Sequence, residues 1–450
     1  MAKIDKSELM FSNKYLASLI IPLTVETFLN VTIGMADTMM VAQAGEAAVS
    51  GVSVIDNIQS LLVFLLSAFA TGGAVVASQY LGRRDEDKAR YSAKQLMNLS
   101  ISFSLILTIL MILFQRPIIR TIYGTLEEAV FASAIDYFTP ILLSLPFFAI
   151  QSSANALCRS MGKSTVTMTV SVLVNVINII GNAVFLFIFN MGALGVGLAS
   201  LISRIVGALI MFILILRKDE EIYIENPFKL EVDFKMISKI LKIALPSGIE
   251  NSIFHIGKIL IASTVTTFGT YAIAAYAVNN NLGTFANMPA AAIGLASVTV
   301  IGQCCGRGAY DQVYYYGKKL LALAFLTMTS LSIVMYFITP QLVAIYNLSD
   351  AATELGIESV RLTLIQGIFF WPLAFTLPNF LRAAGDAKYT MFVSVLSMWI
   401  FRVVLSIILG VYLDMGLIGV YWGMFIDWYC RSICFVYRFV KGKWKSKSVI

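Results

Sequence analysis

The chain alternates long apolar stretches with short polar connections. A helix needs about 20 predominantly apolar residues to cross the hydrocarbon core of a bilayer. Stretches of this kind lie near residues 15–40, 50–80, 97–115, 134–156, 166–190 and 193–216, and again near 239–262, 271–303, 319–338, 359–378, 389–412 and 416–438. The pattern therefore predicts an all-α membrane protein with twelve transmembrane helices.

The second six stretches repeat the first six at a spacing of about 224 residues. Pro22 corresponds to Pro246, and Glu26 corresponds to Glu250. Further along, Arg159-Ser-Met-Gly162 corresponds to Arg382-Ala-Ala-Gly385 after a drift of one residue. Six helices per repeat is an even number, so both repeats begin on the same side of the membrane and are predicted to be parallel. A duplicated hydrophobic unit is typical of secondary transporters, whose halves move about a central site.

One hydrophilic segment, Arg217–Lys242, separates the two repeats. We predict an N-lobe at residues 1–218, a cytoplasmic linker at 219–238, and a C-lobe at 239–450 with a short cytoplasmic tail. Within this segment, residues 232–242 are predicted to form an amphipathic helix on the cytoplasmic side. The outward connections at 116–136 and 340–358 are predicted to be long.

Composition supports the membrane assignment and changes the meaning of the charge. Hydrophobic residues make up 58% of the chain and charged residues only 13%, against about a quarter in globular domains. A net charge of +7 in a soluble protein would suggest a nucleic acid partner. Here the basic residues collect in alternate connections, so the positive-inside rule places both termini and the linker in the cytoplasm. The predicted partners are the lipid bilayer and small organic molecules, with no nucleic acid, and the chain is expected to be monomeric.

The first span carries two acidic residues and one amide that share a face. Glu26 and Asp37 are eleven residues apart, which is close to three helical turns, and Asn30 lies between them. An intramembrane carboxylate needs a functional or structural reason. Glu26 is duplicated as Glu250, whereas Asp37 corresponds to Ile261. The duplicated acid indicates architecture or a shared cavity, and the unduplicated one indicates an ion site.

The fifth and sixth spans add neutral polar groups. Asn175, Asn178 and Asn182 lie in the fifth span, and Ser200 lies near the start of the sixth. One carboxylate with amide and hydroxyl oxygens suits a hard monovalent cation, and the same carboxylate could carry a proton. The alternative is that these asparagines join helices by hydrogen bonds.

The second half carries a different polar set. Glu250, His255 and Lys258 lie on the seventh span and Arg402 on the eleventh. Lys258 and Arg402 require anionic partners, for which Glu250 is the candidate. On the twelfth span, Asp427 and Arg431 are four residues apart and are predicted to pair along one helix. Glu26, Asn30, Glu250, His255, Lys258 and Arg402 form the predicted polar lining of the cavity.

The sequence has no motif for soluble catalysis and no P-loop. We therefore expect neither an enzyme nor an ATP-driven motor, with no cofactor, and with energy taken from a gradient of H⁺ or Na⁺ or from a partner subunit. No metal site is expected beyond Na⁺ at Asp37.

The ordered motifs resemble those of the multidrug and toxic compound extrusion (MATE) transporters, of the wider MOP flippase superfamily. They run along nearly the whole chain, and each is weak alone. They comprise the pattern from Pro22 to Asp37-Thr38, Gly45-Glu46-x-Ala48, Gln79-x-x-Gly82-Arg83, Arg159-x-x-Gly162, and Leu381-Arg382-Ala-Ala-Gly385-Asp386. The resemblance implies two six-helix bundles around a central V-shaped cleft. It also implies export of organic, often cationic, compounds in exchange for Na⁺ or H⁺.

The resemblance assigns the cation-coupling role to Asp37, Asn178, Asn182 and Ser200. Asn182 replaces an acid of the family pattern, which leaves one charge. The C-lobe acids of NorM-type members are replaced here by Phe254 and Trp371, so coupling is predicted to be confined to the N-lobe. The alternatives within transport are a dedicated exporter of one metabolite and a lipid-linked precursor flippase. Outside transport they are an intramembrane receptor, an intramembrane enzyme or a scaffold.

Overall fold

A computed structural model describes residues 9–227, 229 and 231–450, except for the side chains of residues 33–39 and 42. Twelve long helices occupy this described part of the chain. They are α1 (Asn13–Val41), α2 (Glu46–Gly82), α3 (Glu86–Tyr123), α4 (Glu128–Ser160), α5 (Ser164–Ile188), α6 (Gly192–Ile215), α7 (Phe234–Thr266), α8 (Thr270–Gly306), α9 (Tyr310–Ala344), α10 (Asp350–Ala383), α11 (Ala387–Tyr412) and α12 (Gly416–Lys441). The prediction of an all-α protein with twelve spans is confirmed.

Ten of the helices in the described part are long and apolar enough to cross a membrane. The other two, α7 and α12, carry the charged residues Glu250, Lys258, Asp427 and Arg431 within their length. Charges inside a membrane helix are expensive and are usually paired or functional. The charged residues of these two helices are therefore expected to have specific partners.

Several helices extend beyond the apolar stretches that predict them. Helix α3 begins at Glu86 rather than near residue 97, because the side chain of Asp85 accepts a hydrogen bond from the backbone amide of Lys88 and caps the first turn. The expectation of long outward connections was wrong, since only residues 124–127 and 345–349 separate the helices there. Hydropathy reports the part of a helix in lipid, whereas the helix itself continues into the polar region. For the same reason residues 234–242 form the first turns of α7 rather than a separate helix.

The backbone repeats as well as the sequence. Gly45 and Gly269, which end the first connection of each repeat, have φ angles of 99° and 98°. In the fifth connection, Asn190 and its counterpart Asp414 have φ angles of 52° and 54°. Residues with a side chain rarely adopt this left-handed region, so Gly and Asn or Asp recur where the turn demands it.

Residues Lys14–Gly248 form one compact unit, called here the N-terminal unit. Within it, α4 packs against α2, α3 and α6, and α5 packs against α6. The contact between α2 and α4 is close at Gly51, where an added Cβ would lie 2.7 Å from the backbone nitrogen of Ala134. Small residues allow membrane helices to approach in this way.

The linker is attached to the N-terminal unit by polar contacts. Lys94 lies 3.1 Å from the carboxylate of Glu231, and Gln95 donates a hydrogen bond to the carbonyl of the same residue. The ammonium groups of Lys229 and Lys94 hold the pKa of Glu231 below its usual value. Ile222 and Ile224 are buried. The linker is thus a packed segment over this stretch.

Residues Ile249–Ile450, with residues 9–13, form the second compact unit, called here the C-terminal unit. Within it, α8, α9 and α10 pack on one another, and α12 packs on α10 and α11. The N-terminal segment contacts α9, because the hydroxyl of Tyr316 accepts from the backbone amide of Phe11 and donates to its carbonyl.

Helix α11 has a wider turn in its middle. Residues Met398–Leu405 are π-helical, and this stretch contains Arg402. The corresponding residues of α5, near 175–182, are regular α-helix. Single π-helical turns in an α-helix occur frequently at functional sites.

Candidate functional site

A row of polar side chains joins α1, α5 and α6 inside the N-terminal unit; we call it the N-terminal polar row. It consists of Glu26 and Asn30 on α1, Thr167, Ser171, Asn175, Asn178 and Asn182 on α5, and Ser200 on α6. The α5 members recur every three or four residues, so they lie on one face of that helix. The row brings together three of the four predicted coupling residues and two of the predicted cavity residues.

Glu26 lies at one end of the row and is fully engaged. Its carboxylate is 2.9 Å from the guanidinium of Arg159 on α4. It also accepts hydrogen bonds from the hydroxyls of Thr167 and Ser171, each at 3.1 Å. The residue is only 5% exposed, so these three donors replace the water that a carboxylate would otherwise require.

The amides continue the row along α5. Asn175 donates to the side-chain oxygen of Asn30 at 3.0 Å. Asn178 donates to the hydroxyl of Ser200 at 3.3 Å, and Asn182 donates to the oxygen of Asn178 at 3.3 Å. Asn178 and Asn182 are both buried. These contacts fit both interpretations of the asparagines. They join helices by hydrogen bonds, and they also bring together amide and hydroxyl oxygens that could bind a cation.

Asp37 belongs to α1, and its side chain lies outside the described residues. Its place in the sequence is seven residues after Asn30, which is about two helical turns. Its role therefore stays a prediction.

The C-terminal unit contains a second copy of the Glu26 ion pair. Glu250 on α7 lies 2.6 Å from the guanidinium of Arg382 on α10. Glu26 and Glu250 correspond in the repeat, and so do Arg159 and Arg382. The earlier assignment of Glu250 as the anionic partner of Arg402 and Lys258 was wrong, because Glu250 is taken by Arg382.

The two copies differ in what surrounds the carboxylate. By sequence, Thr390 and Ser394 are the counterparts of Thr167 and Ser171. Both threonine hydroxyls contact the carbonyl three residues earlier, that of Ser164 or of Ala387, but within the described chain only Thr167 also contacts its glutamate. Within the described chain, the buried Oε2 of Glu250 and the buried hydroxyl of Ser394 have no hydrogen-bond partner. Corresponding residues thus give Glu26 more hydrogen bonds than Glu250.

Arg402 pairs with Asp427 on α12, at 3.0 Å from its Oδ2. Arg431 occupies the other oxygen of the same carboxylate at 2.7 Å, as its spacing predicts. Asp427 is 0% exposed, Arg431 2% and Arg402 7%. One carboxylate therefore serves two buried guanidinium groups.

The remaining predicted cavity residues, His255 and Lys258, both lie on α7 in the C-terminal unit. His255 is partly buried and Lys258 is exposed. Lys258 lies one helical turn after Phe254, whose ring is 4.9 Å from the guanidinium carbon of Arg402. Lys258 makes no ion pair with any described residue.

The partners of the two duplicated glutamates are the functional contacts that reading the sequence missed. A signal was present, because both the acids and the arginines recur at nearly the same spacing. Two opposite charges that are duplicated together inside apolar repeats are candidates for a duplicated ion pair.

Comparison with known proteins agrees with this architecture. The MatE family model matches the chain twice, at residues 22–184 and 246–408, which are the two repeats. The chain is 26% identical to the probable multidrug resistance protein NorM of Thermotoga maritima over 99% of this chain and 96% of that protein. It is 22% identical to the multidrug export protein MepA of Staphylococcus aureus, over 92% of this chain and 90% of MepA.

Solved structures show the same fold. A crystal structure of MATE in complex with MaD3S superposes with a TM-score of 0.88 at 19% identity, covering 97% of both chains. A MOP superfamily transporter from Pyrococcus furiosus superposes with a TM-score of 0.87, also at 19% identity and over 97% of both chains. The chain belongs to the MatE family and is a multi-pass transporter of the cell membrane, not an enzyme.

Proposed function

We propose that the chain is a secondary antiporter that exports organic, drug-like compounds, cationic ones included, in exchange for H⁺ or Na⁺. The observation that carries the proposal is the N-terminal polar row, which joins α1 to α5 and α6 through hydrogen bonds whose members, except for the exposed Asn30, are buried or half-buried. The names of the relatives NorM and MepA support export of drugs as the transported class.

The chemistry of the row suits a single monovalent cation. Glu26 is neutralised by Arg159, and the amides and hydroxyls of the row are uncharged. Asp37 is then the one acid of α1 left to change charge by binding H⁺ or Na⁺. The side-chain oxygens of Asn178, Asn182 and Ser200 are of the kind that hard cations prefer.

Coupling in this proposal acts through α1. Pro22 lies inside α1 and removes one hydrogen bond of the helix, which makes the following segment easier to bend. That segment is tied to α5 by Glu26 and Asn30. Binding of the ion at Asp37 changes the packing of this segment and weakens substrate binding. Such exchange requires that ion and substrate favour different conformations.

The remaining assignments belong to the same proposal. The N-lobe comprises residues 1–218, the linker 219–238 and the C-lobe 239–450, and both termini are cytoplasmic. The working unit is a monomer.

Purified protein in liposomes tests the proposal, with ethidium as the probe. A pH gradient and a Na⁺ gradient are imposed separately, and ethidium movement is recorded. We expect the wild type to move ethidium against its own gradient under at least one of the two, and to stop when an ionophore collapses that gradient. Protein-free liposomes are the control.

The same assay separates the alternatives. A multidrug exporter is inhibited by several chemically unrelated dyes, whereas a dedicated metabolite exporter is inhibited by none. Correctly folded protein that moves no ethidium under either gradient would contradict the proposal.

A further inference from the structure

The C-terminal unit contains more positive than negative charge at one depth of the membrane. Three cations, Lys258 on α7, Arg402 on α11 and Arg431 on α12, accompany the single carboxylate of Asp427. We call these four residues the C-terminal cationic cluster. Charged groups inside a membrane helix are destabilising unless they are paired. Here one carboxylate faces three cations, so the cluster has a net charge of +2.

The cluster lies deep in the bundle rather than at a membrane surface. Lys258 precedes the end of α7 by eight residues, Arg402 precedes the end of α11 by ten, and Asp427 follows the start of α12 by eleven. These three helix ends are on the same side of the alternating bundle. At about 1.5 Å per residue the cluster is roughly 12–17 Å below them. At this depth the two arginines cannot both place their charged groups among the lipid headgroups by snorkelling.

The donors of the cluster exceed its acceptors. Arg431 is satisfied, since its Nε donates to Asp427 and its Nη2 donates to the carbonyl of Ser394. Arg402 is not, although it is more than nine-tenths buried. Its Nε faces the Oδ2 of Asp427 at 3.0 Å without a well-aligned hydrogen bond, and its Nη2 has no acceptor among the described residues. The indole Nε1 of Trp428, next to Asp427 in the chain, is also buried without an acceptor there.

The aromatic ring of Phe254, and not a second carboxylate, lies against the two guanidinium groups. The ring of Phe254 lies 4.9 Å from the guanidinium carbon of Arg402 and 5.3 Å from that of Arg431. Phe254 and Lys258 are four residues apart on α7 and so share a face. A ring face attracts cations but accepts no proton and carries no net charge. The protein thus holds the guanidinium groups in place without neutralising them.

We propose that the C-terminal cationic cluster binds the carboxylate group of an organic anion or zwitterion. Lys258 meets the group from the exposed face of α7, and Arg402 supplies its unused donors. A guanidinium presents a planar set of N–H donors that matches a carboxylate. The π-helical turn of Met398–Leu405 widens α11 at Arg402, where the first repeat has ordinary helix. This inference rests on the proposed export function, because it widens the class of exported compounds.

Equilibrium binding to purified protein in nanodiscs tests the inference without requiring transport. Fluorescein serves as the carboxylate probe and ethidium as the cationic probe, each followed by fluorescence anisotropy. We expect Lys258→Gln to weaken fluorescein binding about 10-fold, and Arg402→Gln about 10- to 100-fold, since each removes a charged donor. Ethidium binding does not fall in either variant, because losing a positive charge cannot weaken the attraction of a cation.

The matched control is Lys388→Gln. Lys388 is an exposed residue at the start of α11, so the substitution removes the same charge from the same helix about 21 Å from Arg402. We expect Lys388→Gln to leave the affinity for fluorescein unchanged. Lys258 is exposed and makes no ion pair with a described residue, so its variant is expected to fold even where Arg402→Gln does not.

Three results would overturn the inference. They are the absence of saturable fluorescein binding by the wild type, fluorescein affinity that survives Lys258→Gln, and an equal loss of both dyes. Failure of the proposed export function is a separate outcome, since it leaves binding intact and abolishes gradient-driven transport.

Discussion

Asp427→Asn is expected to be among the most damaging single substitutions in the C-terminal unit. It lowers the free energy of unfolding by about 3–5 kcal/mol, because it leaves two buried guanidinium groups without an anion. Arg402 and Arg431 both depend on this carboxylate and are both buried. The temperature at which the detergent-purified protein loses its monodisperse gel-filtration peak measures the effect.

Arg402→Gln is the informative control. It leaves Asp427 with Arg431, which is a balanced pair, so the loss of stability should be clearly smaller than for Asp427→Asn. Replacing all three charged residues by apolar ones of similar size should recover most of the loss, since a buried ionic triad is often no more stable than its apolar replacement. Equal stability of Asp427→Asn and the wild type would show that Asp427 does not neutralise these arginines.

Arg382→Gln is expected to destabilise the protein more than Arg159→Gln does, although the two arginines are repeat counterparts. After Arg159→Gln, the carboxylate of Glu26 keeps the hydroxyl donors of Thr167 and Ser171. After Arg382→Gln, no hydrogen-bond donor among the described residues remains for Glu250. A buried carboxylate without donors costs several kcal/mol, and retained donors offset part of that cost.

The same thermal assay measures this difference in stability. Two double variants test whether the hydrogen bonds to the glutamate cause it. Glu250→Gln combined with Arg382→Gln should be more stable than Arg382→Gln alone, because the stranded charge is gone. Thr167→Val combined with Arg159→Gln should approach the loss seen with Arg382→Gln. If Arg159→Gln proves the more damaging of the single variants, the two glutamate sites do not differ in the way their hydrogen bonds indicate.

The helical architecture could be predicted from the sequence because it depends on local composition. The twelve apolar stretches fix twelve helices, and the spacing of Pro22 and Pro246 fixes the repeat. Helix ends were less predictable, since Asp85 and the residues after it continue α3 outside the apolar region. Hydropathy carries no information on how far a helix extends into water.

Side-chain partners were harder to predict than helices. The contact of Asp427 with Arg431 follows from a spacing of four residues, and it was predicted. The contact of Asp427 with Arg402 joins two helices, and nothing in their separation along the chain indicates which faces meet. The π-helical turn that carries Arg402 has no sequence signal that we recognise.

The two repeats keep one scaffold and differ in its chemistry. The ion pairs of Glu26 with Arg159 and of Glu250 with Arg382 preserve the shared frame. Asn178 corresponds to Phe401, and Asn175 and Asn182 also correspond to apolar residues, so the asparagines of α5 have no copy in α11. In their place α11 carries Arg402. We infer that cation coupling belongs to the first repeat and recognition of a carboxylate to the second.

Coupling through the first repeat is the central claim, and Asp37→Asn tests it most directly. The variant is reconstituted in liposomes beside the wild type, and each is assayed twice: for ethidium movement driven by the effective ion gradient, and for exchange of labelled against unlabelled ethidium without a gradient. We predict that Asp37→Asn loses gradient-driven movement and retains exchange. Full gradient-driven movement by Asp37→Asn would contradict the account.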